Sequence, residues 1–210
     1  MGFFLGVAIY LGYGFKSFLI LLAFILLGSI ATRIGYAKKA AQGIAEHRGG
    51  ARSWREALAN CLEPAFLAIL SVTSFPQAAF LLAMVAALAE AAGDTISSEL
   101  GQVLTDRVYL ITTFHPVPTG VDGGVYLAGT LSGFIASALI VGLGFALGLC
   151  GPHHWIGAGI ALAAAVAGNI LDSLLGATIE RAGLVTNGIV NFSGTSFAGA
   201  TALALALRMQ

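Results

Sequence analysis

"AALAEAAGDTISSELGQ", residues 86–102, places three carboxylates, Glu90, Asp94 and Glu99, at the end of a segment otherwise built from Ala, Leu and Val. Glu90 and Asp94 are spaced i, i+4, and Ser97 follows three residues on, so these share one helical face while Glu99 falls off it. Carboxylates on such a segment are unexpected, because the chain around them is apolar. It is 58% hydrophobic and only 10% charged, with a mean hydropathy of +0.90, whereas soluble domains carry about 25% charged residues. The composition is that of an integral membrane protein. Ten basic residues balance ten acidic ones, which gives no support to a nucleic-acid or acidic-surface partner. Gly supplies 28 of 210 residues, a surplus that lets membrane helices approach closely. Cys61 and Cys150 have neither metal-ligand nor disulfide-framework spacing.

Six apolar stretches approach the length of about 20 residues that a helix needs to cross the hydrocarbon. They are expected near 17–34, 57–74, 77–93, 124–149, 155–178 and 188–207. A shorter apolar run at 2–14 is expected to be clipped or only partly inserted, and it lacks the features of a signal peptide. With no repeat, linker or composition break, residues 1–210 form one integral membrane domain. Arg33, Lys38, Lys39, Arg48, Arg52 and Arg55 cluster between the first two spans, and Arg107 and Arg181 fall in later loops on the same side. Only Lys16 and Arg208 lie opposite. The loops 35–56, 94–123 and 179–187 are therefore expected to be cytoplasmic. Cys61 and Cys150 then lie near opposite faces and should not bond to one another.

The expected class is an all-α, polytopic bundle of six to seven helices with a polar pocket at its cytoplasmic end. "GNILDSLLGAT", residues 168–178, sets Asn169, Asp172, Ser173 and Gly176 on one stripe of a membrane helix. Asn187 and Asn191 open the last span, and Asn60 and Glu63 open the span at 57–74. Carboxylates inside a membrane are costly and mark function by default. The asparagines suit interhelical hydrogen bonding as well as ligand contact, and Glu63 suits a first-turn position near the positive helix end.

Between spans, "HPVPTGVDGGVYLAGT", residues 115–130, offers Gly120, Asp122, Gly123 and Gly124 ahead of a helix start. Such a loop can turn N–H groups toward a phosphate, although no Lys-Ser or Lys-Thr follows as in a P-loop. Arg52 and Arg55 precede the span near Asn60 closely enough to clamp a phosphate.

Five ordered motifs carry a family resemblance: "KKAAQGIAEHRGGARSWREALAN", "GDTISSELGQ", "PTGVDGGVYLAGT", "GNILDSLLGATIE" and "TNGIVNFSGT". Together they resemble domain-of-unknown-function family 92, which includes transmembrane protein 19 and the phytyl-phosphate kinase of the tocopherol pathway. The resemblance implies a helical membrane protein that phosphorylates an isoprenyl monophosphate to its diphosphate. More distantly the motifs are similar to CTP-dependent polyprenol kinases and phosphatidate cytidylyltransferases, which join a lipid phosphate, a nucleotide and a divalent metal.

Phosphoryl transfer needs positioned phosphates and neutralised charge more than covalent help. On this basis Asp94, Asp172 and Glu99 are expected to hold Mg²⁺, and Gly120, Asp122, Gly123 and Gly124 to form the phosphate loop. Arg52 and Arg55 would act as clamps, while Asn60, Ser97, Asn169, Ser173, Asn187 and Asn191 would bind the nucleoside triphosphate, CTP or ATP. The partners are the lipid bilayer and an isoprenyl monophosphate, and a homo-oligomer is compatible with all of this. Two rivals use the same residues: a lipid-phosphate cytidylyltransferase, and an ion- or proton-coupled transporter. A transport path needs polar residues that continue across the membrane, and the outward halves of 57–74 and 124–149 are apolar.

Overall fold

The computed structural model describes residues 2–45, 53–105 and 107–209. Six helices are long and apolar enough to span a membrane. These are α2 (Phe15–Arg33), α4 (Trp54–Thr73), α5 (Gln77–Leu104), α6 (Leu127–Ala146), α7 (His154–Leu175) and α8 (Asn187–Leu207). The last turn of α7 widens into a π-helical segment, Gly176–Glu180. A shorter apolar helix, α1 (Gly2–Tyr13), packs on α4, and a six-residue helix, α3 (Tyr36–Ala41), follows α2. The chain is a multi-pass membrane protein, and the expected helical bundle is what forms.

The bundle is organised around α5. In its most apolar window 89% of residues are buried inside the protein, against 28–44% for the other spans. Helices α2, α4, α6, α7 and α8 all pack against it. Ala-rich sequence makes this possible, because a helix with small side chains on every side can accept several neighbours at close range. The neighbours answer with glycine: a methyl group at Gly144 of α6 would sit 2.8 Å from the Val85 side chain, and one at Gly199 of α8 would sit 3.6 Å from Ala87 Cβ.

Two boundaries differ from expectation. The span expected to end at residue 93 continues to Leu104, so Asp94, Ser97 and Glu99 are helical and not in a loop. No proline interrupts this run, and Glu99 finds partners in Thr32 of α2 and Lys39 of α3. The helix expected from 124 starts at Leu127, because Gly124–Val125 pairs as strand β3. With β1 (Val108–Leu110) and β2 (Pro116–Val117) it forms an antiparallel sheet in the order β2-β1-β3. This small sheet shapes the connection that reaches α6.

Helix α4 begins with a capping box. Ser53 Oγ accepts from Glu56 N–H at 3.3 Å, and Glu56 Oε2 accepts from Ser53 N–H at 3.2 Å. Cys61 and Cys150 are both buried and form no disulfide, and burial pushes the Cys150 thiol up to about 11.

The basic end is pinned by a buried ion pair. Lys39 Nζ of α3 lies 2.5 Å from Glu99 Oε2 of α5, and it also donates to Thr32 O at 2.9 Å and to Ala31 O at 3.4 Å. Thr32 Oγ1 completes the carboxylate by donating to Glu99 Oε1 at 2.9 Å. One ammonium thus neutralises an acid on α5 while satisfying the last carbonyls of α2. Removing one member of such a pair strands the other charge. Lys39→Met is therefore expected to destabilise the protein by about 3 kcal/mol. Adding Glu99→Leu should recover most of that loss, as measured by thermal unfolding in detergent.

Candidate functional site

Opposite the Glu99 face, α5 turns Glu90 toward α7 and α8. Both helices present a glycine to it. A methyl group at Gly168 of α7 would lie 2.7 Å from Glu90 Cγ, and one at Gly194 of α8 would lie 2.5 Å from Glu90 Oε1. The same Gly194 methyl would stand 3.4 Å from Asp172 Cβ, so Glu90 and Asp172 meet at this notch. Glu90 is 1% exposed and Asp172 is 8% exposed, and among the described residues neither Glu90 Oε1 nor Asp172 Oδ2 has a hydrogen-bond partner. Asn191, one turn before Gly194 on α8, is also 8% exposed with Oδ1 unpartnered. Its Nδ2 donates to Asn60 Oδ1 of α4 at 3.5 Å.

Further carboxylates extend this group toward the basic end. Asp94 and Asp172 both act electrostatically on Glu90. Asp94 and Glu180 act on Asp172, and Asp122 and Asp94 act on Glu180. Five acids drawn from α5, α7, the π segment and the glycine loop therefore repel one another within one region. Asn187 hydrogen-bonds Glu180 at the mouth.

The π segment is what brings the glycine loop here. Arg181 N–H bonds to Gly176 O, five residues back, at 3.2 Å. Single π turns of this kind recur at functional sites. Gly123, with φ +71°, rests directly on the backbone of Ala177. Gly176 in turn faces the loop: a methyl there would lie 2.9 Å from Gly123 N and 3.5 Å from Glu180 Oε2.

The expected residues divide into groups. Asp94, Asp172, Asn191 and Asn60 come together at the region where α4, α5, α7 and α8 meet, with Asp122 and Asn187 at its mouth. Glu99 does not join them as a metal ligand. It lies half a helical turn round from Glu90 and is committed to Lys39 and Thr32. Two glycines of the expected phosphate loop have their N–H groups taken. Gly120 N–H donates to Tyr126 Oη at 3.1 Å, and Gly124 N–H donates to Val121 O at 3.0 Å. Burial raises the Tyr126 phenol above its ordinary range, with the Gly120 N–H partly opposing this, so the phenol stays protonated. Gly123 packs the loop on the end of α7, while Gly120 and Gly124 pack against Ile44 and Val108.

Asn169 fastens helices, since its Nδ2 donates to Glu90 O at 3.2 Å and to Ala165 O at 3.0 Å. Ser97 packs at the α5–α6 contact, 2.9 Å from where a Gly133 methyl would be. Ser173 is half-buried on α7. Arg55 is exposed, with its guanidinium carbon 5.5 Å from the centre of the Trp54 ring. Arg52 lies outside the described residues. Glu90 and Glu180 join the expected set as members of the site. Glu90 was signalled by its i, i+4 spacing to Asp94; Glu180 had no comparable signal, because a π turn is invisible to helical periodicity.

Among the described residues no three His, Cys, Asp or Glu side chains can enclose a metal ion unaided. Mg²⁺ does not need such a cage, because it is held by one or two carboxylates together with waters and substrate phosphates. Unpartnered carboxylate oxygens in a group of like charges fit a hard cation of that kind.

The integral membrane protein DUF92 family matches over residues 1–199. A membrane protein of Methanocaldococcus jannaschii is 38% identical over 192 residues, covering 89% of this chain and 74% of the relative. A membrane protein of Synechocystis is 37% identical over 202 residues, covering 92% and 77%. The Arabidopsis thaliana protein VTE6, chloroplastic, is 32% identical over 208 residues, covering 96% of this chain and 62% of that one. No solved structure gives a significant match.

The close approach of Gly123 to Ala177 yields a direct test. Gly123→Ala should clash with the α7 backbone and force a side chain into a left-handed conformation, costing about 2 kcal/mol. Gly142→Ala, which meets nothing within 4 Å, should leave stability unchanged; paired thermal unfolding curves separate the two.

Proposed function

Because the chain belongs to the DUF92 family of integral membrane proteins, we propose that it is a Mg²⁺-dependent membrane kinase. It would convert an isoprenyl monophosphate, phytyl or similar, to its diphosphate at the expense of CTP or ATP. The observation that carries this is the unpartnered, buried carboxylate of Asp172, set beside Asp94 and Glu180 where the glycine loop docks on α7. The activity is also the one that the resemblance of the five motifs implies.

In the reaction, an oxygen of the lipid monophosphate forms a bond to the terminal phosphorus of the nucleotide. The bridging P–O bond breaks, and nucleoside diphosphate leaves. Asp94 and Asp172 would hold the Mg²⁺, which supplies the positive charge that brings two anionic phosphates together. A phosphate monoester has a second pKa of about 6 and is already largely a dianion at neutral pH. The chain therefore needs no strong general base. Asn187 orients Glu180 at the mouth, and Arg55, exposed on the first turn of α4, draws anionic substrate to the basic end. The isoprenyl tail lies against the apolar outer faces of the spans. In this proposal the basic end faces the cytoplasm.

Detergent-purified protein given phytyl or geranylgeranyl monophosphate, Mg²⁺ and CTP or ATP should yield prenyl diphosphate and nucleoside diphosphate by mass spectrometry. Asp172→Asn should lower turnover by about a hundredfold or more while leaving the fold intact. Release of pyrophosphate would instead assign lipid-phosphate cytidylyl transfer. Absence of turnover with every pair, in folded protein, would overturn the enzymatic proposal and turn attention to ion flux in liposomes.

A further inference from the structure

Glu90 and Glu99 sit on the same helix and are both buried, yet the protein treats them in opposite ways. Glu99 receives an ammonium and a hydroxyl. Glu90 receives neither, and its electrostatic neighbours are two more carboxylates. Its Oε1 is unpartnered and lies at the Gly194 notch, which is also bordered by Asp172. Asp172 Oδ2 and Asn191 Oδ1 are unpartnered as well. Three acceptor oxygens on α5, α7 and α8 are therefore left without a donor among the described residues; Ser196 Oγ of α8 is the other unpartnered atom on these helices.

We propose that Glu90, Asp172 and Asn191 form a second, deeper cation site that binds a divalent ion of the Mg²⁺ class in the absence of nucleotide and lipid phosphate. Two carboxylates balance a divalent charge. Oxygen-only donors select a hard cation over the softer metals that take sulfur or imidazole. Two carboxylates, an amide oxygen and retained waters are an ordinary Mg²⁺ environment. The glycines follow from the same need, since a side chain at either Gly168 or Gly194 would displace the Glu90 carboxylate. Asn60 contributes as a positioning residue, because it takes the Asn191 amide N–H and leaves Oδ1 as the group turned outward. Asp172 would belong to both sites, so the resident ion would lie next to the phosphate-bound one.

The site does not rest on the kinase proposal, and its test uses no substrate. Protein stripped with EDTA in detergent is titrated with Mn²⁺ and followed by electron paramagnetic resonance, with Mg²⁺ as competitor. Thermal unfolding is measured in parallel against Mg²⁺ concentration. The expected result is saturable Mn²⁺ binding that Mg²⁺ displaces, together with a Mg²⁺-dependent rise in melting temperature. Glu90→Gln and Asn191→Ala should each weaken binding by at least about tenfold, whereas Asp94→Asn should retain it. Absence of saturable Mn²⁺ binding to the unmodified protein would overturn the site and leave protons as the neutralising agent. Binding unchanged in Glu90→Gln, or lost only in Asp94→Asn, would also overturn it. A protein that binds Mn²⁺ in this manner but has no kinase activity would keep the site and lose only the proposed reaction.

Discussion

A helix with protein on every side imposes one constraint on the whole molecule: each polar atom it carries must be answered by a neighbouring helix. Helix α5 is that helix, and it carries Glu90, Asp94 and Glu99. In a medium of low dielectric an uncompensated carboxylate is very unfavourable. Glu99 is resolved within the fold, because α3 folds back and delivers Lys39 to it. Glu90 is not resolved in that way. Its neighbours make room for it with Gly168 and Gly194, and they add Asp172 to the same space. One acid therefore belongs to the architecture of the basic end, and the other has the character of a binding group.

The remaining features of the site follow from how helices approach α5. Glycine on α7 and α8 lets them come close enough for Asn169 to reach the Glu90 carbonyl. Farther along α7, the π turn changes the helical register just past Asp172, and the loop glycine Gly123 settles on Ala177. That contact carries Asp122 to the same region as Glu180. Gly123 thus acts on the site through packing, and the N–H groups of Gly120 and Gly124 stay within the loop.

Much of the fold was legible in the sequence because span length is a coarse signal that survives without tertiary information. Glu90 and Asp94, and Asn169 with Asp172, were legible for the same reason: i, i+3 and i, i+4 spacings fix a common face whatever the surroundings. The end of α5 was not. Residues 94–104 are polar enough to read as a loop, and only the burial of Glu99 against Lys39, 60 positions away, explains their helicity. Gly120 and Gly124 carry no mark that separates a packing glycine from a phosphate-binding one; the difference lies in the Tyr126 hydroxyl and the Val121 carbonyl that take their N–H groups. Glu180 depends on a π turn, and periodicity assumes that no such turn exists.

Depth connects the site to its proposed substrate. Asn187 begins α8, and Gly194, which faces Glu90, lies seven residues along it, or about 10 Å at the α-helical rise. The carboxylates therefore span a zone from the helix ends to roughly a third of the way through a hydrocarbon layer of about 30 Å. A lipid phosphate anchored by an isoprenyl chain has its charge at the upper part of that zone and its tail below, outside the bundle. In the proposed reaction a nucleotide would approach from water, on the side of Asn187 and Glu180. A transported ion would need polar partners beyond Glu90, and the core there is made of Leu81, Leu82, Val85 and Ile140. A group of acids at one end of the bundle, backed by such a core, suits the proposed meeting of two anions over bound cations better than the passage of an ion.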